Sequence, residues 1–374
     1  MEPAFLTPLY ERPGPWASVQ VDTGWTDESA AARRELQARD ICDELAAFGC
    51  DEATGAAVYE ALTARPDGAD GAGRAVYAAG GEVVLDQPLS ARPPAPMDVT
   101  WSALPRVAPL PDLAAQDPVC VIACVDRLGA GLEVRMPLGG RDAGTVGGRE
   151  YPVHRTGRAD WSARHFQRSI ENTWEHNAAE TAAAVAQCQA DTHADLIVLA
   201  GDPRERAAVH RRLPEALQDL VVETEHGGRA GGASTRLLDE DVDRARQEHV
   251  RRRADHELDR FRSAHEATAE GVPALVEAAR QHRIAELLVR PDGSDNGQVV
   301  WIGPEPDQLS VRRSEVRYLG ETRPEPARAD DALLRSAAMT GARVECVHPA
   351  AGDDIPAGGL GALLRGPYGD GGRT

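Results

Sequence analysis

The feature that most constrains this chain is a long helical pattern that follows a basic segment near its middle. Within Tyr151 to Val185, apolar residues from Ala163 onward lie mostly three or four positions apart, which predicts an amphipathic helix with one buried face. The residues of that face are Ala163, Phe166, Ile170, Trp174, the weakly apolar Thr181, and Val185. Residues 155–161 precede the pattern and show no such periodicity. We therefore expect an exposed loop carried by a rigid helix.

The charge of this segment differs from that of the rest of the chain. Residues 151–170 contain four arginines and one acid, a net charge of +3, whereas the whole chain carries −19. An acidic chain does not bind nucleic acid indiscriminately, because that affinity comes largely from neutralised phosphates. The pattern predicts one chosen contact with RNA at the basic loop and no binding to DNA.

The residue types of the loop suit such a contact. Trp161 offers a surface on which bases stack, and Arg155 and Arg158 match phosphate oxygens in charge and geometry. Two other interpretations stay open: the loop is a solvated connection, or Trp161 packs back against the helix. The predicted RNA-binding residues are His154, Arg155, Thr156, Gly157, Arg158, Ala159, Asp160, Trp161, Ser162 and Arg164.

Composition excludes several classes of site. The chain has no lysine, so neither a Walker-type phosphate loop nor a Schiff-base lysine exists in it. The six cysteines are scattered, which favours free thiols in a reducing cytosol. Cys120 and Cys124 share one face of a predicted strand, but no further pair completes a zinc site. We expect no cofactor, no metal, no membrane span, no signal peptide and a cytoplasmic location.

The length and a proline-rich stretch ending near Asp117 predict three domains of mixed α/β and α+β class, at residues 1–117, 118–237 and 238–374. In the first, WASVQVD at Trp16 predicts a half-buried strand. Helices over 27–48 and 51–64 follow. In the first helix Leu36, Ile41 and Leu45 share a side. A β-hairpin turns at Gly80 and Gly81.

The middle domain is predicted to be an α/β layer, because buried strands such as PVCVIACVD and DLIVLAGD alternate with helices. The glycine-rich GGRDAGTVGGRE before Tyr151 is interpreted as a turn. The last domain is expected to open with a charged helix over 239–270 that spans the domain boundary. Helix and strand segments follow, and RPEPARA (323–329) is interpreted as a loop.

Residues 157–163, Gly-Arg-Ala-Asp-Trp-Ser-Ala, resemble the Gly-Arg-Gly-Gly-Gln-Ser-Ala loop of archaeal and eukaryotic class-one release factors. In those proteins a strand leads to the loop and a long helix containing Arg-Phe follows it, where this chain has Phe166. With its YPVHR flank, the chain resembles the bacterial homologues of the archaeo-eukaryotic release factors, a family that includes Balon-like ribosome hibernation factors and is related to Pelota.

The resemblance implies a ribonuclease-H-like central domain and a C-terminal α–β–α sandwich like that of release factors and Pelota. It also implies a position in the ribosomal A site, with the loop at the peptidyl-transferase centre and the N-terminal domain at the decoding centre. The C-terminal domain would meet elongation factor Tu or another translational GTPase. The expected role is ribosome hibernation or stress protection.

One departure from the family motif affects the expected chemistry. The Gly-Gly-Gln that positions water for peptide release is Ala159-Asp160-Trp161 here, so the protein is expected not to be an enzyme. Two alternatives remain at this stage: a peptidyl-tRNA hydrolase or ribosome rescue factor, and a non-ribosomal scaffold or small-molecule binder.

Overall fold

The structure is a computed structural model that describes residues 6–23, 30–64, 73–89, 92–110, 118–136, 139–147, 160–227, 235–321, 323–349 and 353–366; for 139–147 and 160–174 it describes the backbone. The chain forms two compact units. The first unit combines residues 1–116 with 251–374, and the second unit is residues 117–250. The predicted division into three domains therefore stays a proposal.

The N-terminal part of the first unit is an antiparallel four-stranded sheet with the order β3-β2-β1-β4. Its strands are β1 (Trp16–Asp22), β2 (Gly73–Ala79), β3 (Glu82–Leu89) and β4 (Met97–Ser102). The helices of this part are α1 (Thr7–Tyr10), α2 (Ala30–Ala47) and α3 (Glu52–Thr63). The predicted hairpin is confirmed: Gly80 and Gly81 connect β2 to β3 with φ of 58° and 82°, values that favour glycine.

Strand β1 is buried on both faces, so the prediction of a half-buried strand is wrong. Val19 and its alternate neighbours pack beneath α2 and α3. On the other face Trp16 lies in a core shared with the C-terminal part of the chain, and the Ser18 hydroxyl accepts a hydrogen bond from the Arg106 amide at 2.9 Å. The prediction for α2 was also partly wrong, since Leu36 is 58% exposed whereas Ile41 and Leu45 are buried.

The second unit contains a five-stranded mixed sheet with the order β7-β6-β5-β8-β9. Its strands are β5 (Cys120–Asp126), β6 (Gly129–Met136), β7 (Gly139–Gly147), β8 (Leu196–Gly201) and β9 (Val221–Thr224). The first three strands are antiparallel, and β8 and β9 run parallel to β5. These directions and this order are those of a ribonuclease-H-like sheet, as the resemblance implied.

Strand β7 corrects the sequence analysis, which interpreted the glycine-rich segment before Tyr151 as a turn. Its backbone pairs along β6 from Gly139 to Gly147. Glycine is unfavourable within strands, but β7 lies at the sheet edge, where pairing with one neighbour is sufficient. The hydrogen-bonded partner therefore outweighs the weak local propensity of the segment.

Helices cover both faces of this sheet. They are α4 (Asp160–Thr192), α5 (Pro203–His210), α6 (Glu215–Gln218) and the first part of α7 (Thr235–Ser263). Val121 and Ala123 of β5 face the core formed with α4 and α5, while Ile122 faces Val242 of α7. The alternation along one strand explains why the sequence shows a continuous apolar run here.

The C-terminal part of the first unit is built around the sheet β10-β16-β11-β15. Its strands are β10 (Thr268–Glu270), β11 (Ile284–Val289), β15 (Arg343–Cys346) and β16 (Leu360–Leu364), and its helices are α8 (Val272–Arg280), α9 (Arg313–Tyr318) and α10 (Ala329–Thr340). Leu287 faces α8 and α10, whereas Leu288 faces Leu258 and Phe261 of α7. The predicted α–β–α sandwich is therefore confirmed.

A second, three-stranded sheet accompanies this sandwich, formed by β12 (Val299–Ile302), β13 (Leu309–Ser310) and β14 (Glu325–Arg328). Strand β14 corrects the prediction of a loop at residues 323–329. Pro326 lies opposite Trp301 in the β12 ladder. Proline lacks an amide donor but is tolerated on an edge strand such as β14, and local sequence rules do not detect that setting.

Both ends of the chain meet in one buried polar cluster of the first unit. Asp330 and Asp331, at the start of α10, are 0% and 3% exposed. The Arg106 Nη1 lies 2.9 Å from the Asp330 Oδ2, and the Asp331 Oδ1 accepts hydrogen bonds from the amides of Val107 and Ala108 at 2.9 and 3.0 Å. The cluster fixes the loop after β4 to α10, across more than 220 residues of sequence.

Candidate functional site

The site predicted from sequence lies between β7 and the N-terminal end of α4. His154, Arg155, Thr156, Gly157, Arg158 and Ala159 lie outside the described residues. Asp160, Trp161, Ser162 and Arg164 lie in the first turns of α4, where the backbone is described. The predicted contacts of these side chains with RNA therefore stay predictions.

The start of α4 fixes the backbone of the last loop residues. Asp160 is the first residue of the helix and Trp161 the second. Helical φ and ψ angles leave these positions little of the conformational freedom that a Gly-Gly pair has.

The C-terminal half of α4 is anchored in the second unit. Its buried residues are Asn177, Ala178, Thr181, Ala182 and Val185, at the three- and four-residue spacing of one helix face. The predictions that Thr181 and Val185 belong to the buried face are confirmed. Ala163, Phe166, Ile170 and Trp174 belong to the part of α4 whose side chains are not described.

Polar contacts reinforce this anchor. The Asn177 side-chain amide donates to the Arg127 carbonyl, at the turn between β5 and β6, at 2.9 Å. Glu175 lies 3.8 Å from the Arg212 guanidinium. A buried amide bonded to a turn carbonyl resists both sliding and rotation of the helix, because either motion leaves two polar groups unsatisfied.

The length of α4 separates its anchor from its start. Asp160 and Asn177 are seventeen residue steps apart, which corresponds to ~26 Å along the helix axis at ~1.5 Å per residue. Asp160, near the end of the predicted loop, is thus held at a defined distance from the packed end. We refer to α4 as the stalk helix.

Carboxylates gather near the β5–β6 turn, to which the stalk helix is also anchored, a grouping that sequence analysis missed. Glu205 of α5 is 8% exposed, and burial raises the pKa of this carboxyl group, which Asp202 and Asp126 raise further while Arg127 lowers it. The Arg127 Nε lies 3.6 Å from Glu205. Within the described part of the chain, no group of three histidine, cysteine or acidic side chains is arranged to hold a metal ion.

A second polar cluster joins β9 to α7. Asp241 accepts hydrogen bonds from the Thr224 hydroxyl and from the His226 Nδ1, the latter at 2.6 Å. These two bonds lower the pKa of the Asp241 carboxyl group. Because Thr224 donates to the aspartate and not to the histidine, the arrangement activates no hydroxyl nucleophile. The two hydrogen bonds hold the end of β9 against α7.

None of the helices in the described ranges is both long enough and apolar enough to cross a bilayer.

Comparison with known proteins connects the second unit to translation. The sequence profile of bacterial archaeo-eukaryotic release factor family 2 matches residues 119–267, from β5 to the turn after α7. Over these residues the chain is similar to that family. The match contains the five-stranded sheet, the stalk helix and the predicted loop. The release-factor segment thus includes the entire candidate site.

Relatives extend the similarity along the chain. Two proteins of Mycobacterium tuberculosis, uncharacterized protein Rv2629 of strain H37Rv and uncharacterized protein MT2704 of strain CDC 1551 / Oshkosh, are each 28% identical over 366 residues, which is 94% of this chain and 93% of the relative. Among solved structures, a model of ribosome-bound archaeal Pelota and ABCE1 is similar over 96% of this chain and 93% of that chain, with 14% identity and a TM-score of 0.39.

By the resemblance given above, Ala159 and Asp160 correspond to the two glycines of Gly-Gly-Gln and Trp161 corresponds to the glutamine; this correspondence stays a prediction. The stalk helix begins at Asp160, the second of these positions.

Proposed function

We propose that this protein binds the ribosomal A site without cleaving peptidyl-tRNA, and that it protects idle ribosomes as a cytoplasmic hibernation or stress factor. The single observation that carries the proposal is a release-factor segment whose stalk helix begins at Asp160. The second glycine position of the hydrolytic motif is thus an aspartate in a helical turn.

The absence of Gly-Gly-Gln supports binding in place of hydrolysis. Release chemistry needs an amide that orients water and a backbone with little steric hindrance. Trp161 supplies an indole where that amide would be, and Asp160 supplies a carboxylate that dense RNA phosphate would disfavour as a base. The rescue-factor alternative therefore lacks its central group.

Charge supports a localised RNA contact. The chain carries −19, but the segment that contains the loop and the first turns of the stalk helix carries +3. Residues 118–237 have 14 arginines against 16 acids, so the surface around the loop does not strongly oppose RNA. The acidic remainder suppresses contacts elsewhere, and the loop is the surface that approaches rRNA near the peptidyl-transferase centre.

The same proposal gives the N-terminal and C-terminal domains their positions on the ribosome. The N-terminal domain would face the decoding centre, and the C-terminal α–β–α sandwich would meet elongation factor Tu or another translational GTPase. A protein in this position excludes aminoacyl-tRNA, because both occupy the same site.

Co-sedimentation with purified bacterial ribosomes at physiological salt tests the proposal. The full chain is expected to pellet with ribosomes, and Arg155→Ala/Arg158→Ala/Trp161→Ala is expected to weaken binding by at least ~tenfold, as loss of clustered arginine and aromatic contacts does. The matched control, Arg312→Ala/Arg317→Ala/Tyr318→Ala, likewise removes two arginines and one aromatic side chain, from an exposed surface of the first unit. Failure of the unaltered chain to pellet would refute the proposal.

A release assay separates binding from hydrolysis. Ribosomes carrying labelled peptidyl-tRNA are expected to keep their peptide in the presence of this protein. Release that disappears in Asp160→Ala would establish the rescue-factor alternative instead.

A further inference from the structure

The first unit contains a cavity of about 530 Å³ that the proposed ribosomal function does not use. Tyr10, Arg12 and Trp16 line it from the N-terminal part of the unit, and the loop 303–306 with Arg335 lines it from the C-terminal part. Ligand pockets in proteins typically have volumes of ~300–1,000 Å³. The cavity is therefore large enough for a small metabolite.

A buried cation without a carboxylate partner lies in this cavity. Arg335 is 5% exposed, and its guanidinium donates to two neutral acceptors, the carbonyls of Gly303 at 2.9 Å and Glu305 at 3.1 Å. Within the described ranges no ion pair forms at Arg335, and its Nε has no hydrogen-bond partner. The Tyr10 hydroxyl, in the same lining, is likewise buried without a partner.

The surroundings explain why this charge is unfavourable in the empty cavity. Burial lowers the pKa of Arg335, and the nearby Tyr10, Glu305 and Asp307 offset that effect only partly. A buried charge with only neutral acceptors costs free energy that a bound anion recovers. The inner end of the cavity is thus complementary to one negative charge.

The opening of the cavity has the opposite sign. Glu11, Glu305 and Glu325 are exposed lining residues, and Glu321 is half-buried among them. Arg12 lies there too, but Glu82 engages its guanidinium at 2.5 Å, and the exposed Arg323 is the other cation of the rim. Four carboxylates disfavour a polyanion such as a nucleotide and favour a cationic group at the outer end.

The wall between the two ends is largely apolar. It includes Leu9, Trp16, Leu104, Ile302 and Met339. A ligand that contacts this wall gains free energy from the removal of apolar surface from water. The buried cation, the rim carboxylates and the apolar wall are together complementary to a molecule with a carboxylate, an ammonium group and an apolar side chain.

We propose that the cavity binds a free α-amino acid with an apolar side chain, with its carboxylate on Arg335 and its ammonium group toward the rim glutamates. The bound carboxylate accepts from the guanidinium Nε, and the Tyr10 hydroxyl donates to it. The proposal is independent of ribosome binding.

Isothermal titration of the full chain with L-leucine tests the assignment, and L-methionine provides a second probe. Saturable binding is expected for both, with a concentration-dependent rise in melting temperature. Leucinamide, which lacks the carboxylate, and 4-methylpentanoate, which lacks the ammonium group, are each expected to bind at least ~tenfold more weakly, the effect of an unmatched charge. Inorganic phosphate is expected not to compete.

Two variants locate the site. The double variant Glu11→Gln/Glu325→Gln changes two exposed rim side chains and is expected to reduce the ratio of leucine affinity to 4-methylpentanoate affinity. The control Glu60→Gln changes an exposed side chain elsewhere in the unit and is expected to leave that ratio unaltered. Arg335→Lys is expected to weaken leucine binding. No saturable binding at millimolar leucine, or equal binding of leucine, 4-methylpentanoate and phosphate, would overturn the proposal.

Discussion

Two arginines of the first unit, the half-buried Arg106 and the buried Arg335, differ in the groups around them. Arg106 lies against the carboxylates of Asp330 and Asp331; burial lowers its pKa, but the two carboxylates outweigh that effect and the pKa is raised. Arg335, about one helical turn beyond Asp331 in α10, donates to two carbonyls and forms no ion pair within the described ranges, and burial lowers its pKa. The same side chain is therefore fully neutralised in one place and uncompensated in the other.

This difference separates a structural role from a binding role. The Arg106 cluster has charges of both signs and joins the chain ends, so removing one member leaves others unpaired. Arg335 leaves no carboxylate behind when it is removed. Substitutions at the two sites should consequently change the free energy of unfolding by different amounts.

Asp331→Ala is expected to cause the largest loss, ~3–5 kcal/mol in the free energy of unfolding, because it removes the acceptor of two buried amides and one of the two carboxylates that contact Arg106. Urea denaturation of the variant and the unaltered chain provides the measurement. Asp292→Ala is the control, since the Asp292 side chain is 85% exposed. An equally small loss in both variants would contradict the structural role of the cluster.

Arg106→Met is expected to cost ~3 kcal/mol, because two buried carboxylates then share only the half-exposed Arg328. The same denaturation experiment applies. A stability equal to that of the unaltered chain would show that Arg328 alone neutralises the pair.

The pH dependence of stability should identify Asp331. Burial, with the adjacent Asp330, raises the pKa of this carboxyl group to about 7 against the lowering effect of Arg106. Since the folded-state pKa lies above the unfolded value, the contribution of Asp331 is fully present below the unfolded pKa and is lost as the pH rises through about 7. The free energy of unfolding of the unaltered chain is therefore expected to fall relative to that of Asp331→Asn between about pH 4 and 7. A difference that is constant with pH would contradict the assignment.

Arg335→Met is expected to have the smallest effect on stability, ~1 kcal/mol or less, because it removes an uncompensated charge while leaving two carbonyls without a donor. Its comparison with Arg106→Met is made in the same buffer by the same method. A loss as large as that of Arg106→Met would mean that Arg335 is a structural cation.

Local patterns predicted much of the secondary structure. The apolar alternation of β1, the glycine pair of the β2–β3 hairpin and the spacing of the stalk helix are signals within a few residues, and each predicted element is present. Strands β7 and β14 were missed because glycine and proline oppose strand formation locally, while a neighbouring strand supplies the hydrogen bonds.

The buried polar sites had no local signal. Arg106 and Asp331 are 225 residues apart, so their ion pair exists only once the chain ends are folded together. Arg335 and Tyr10 are also far apart in the sequence, and they line the same cavity only in the folded chain. The basic loop is predicted from sequence because its residues are consecutive; its residues 154–159 lie outside the described ranges, and its RNA contact stays a proposal for the ribosome experiments.

The first unit is assembled from both ends of the chain, with the second unit inserted between them. During synthesis the whole of residues 117–250 leaves the exit tunnel before β11, α10 and β16 exist. Until then Trp16 and Tyr77, which the finished core encloses, lack the C-terminal part of that core. Chaperones that recognise apolar nascent segments therefore have a defined window in which to act on this chain.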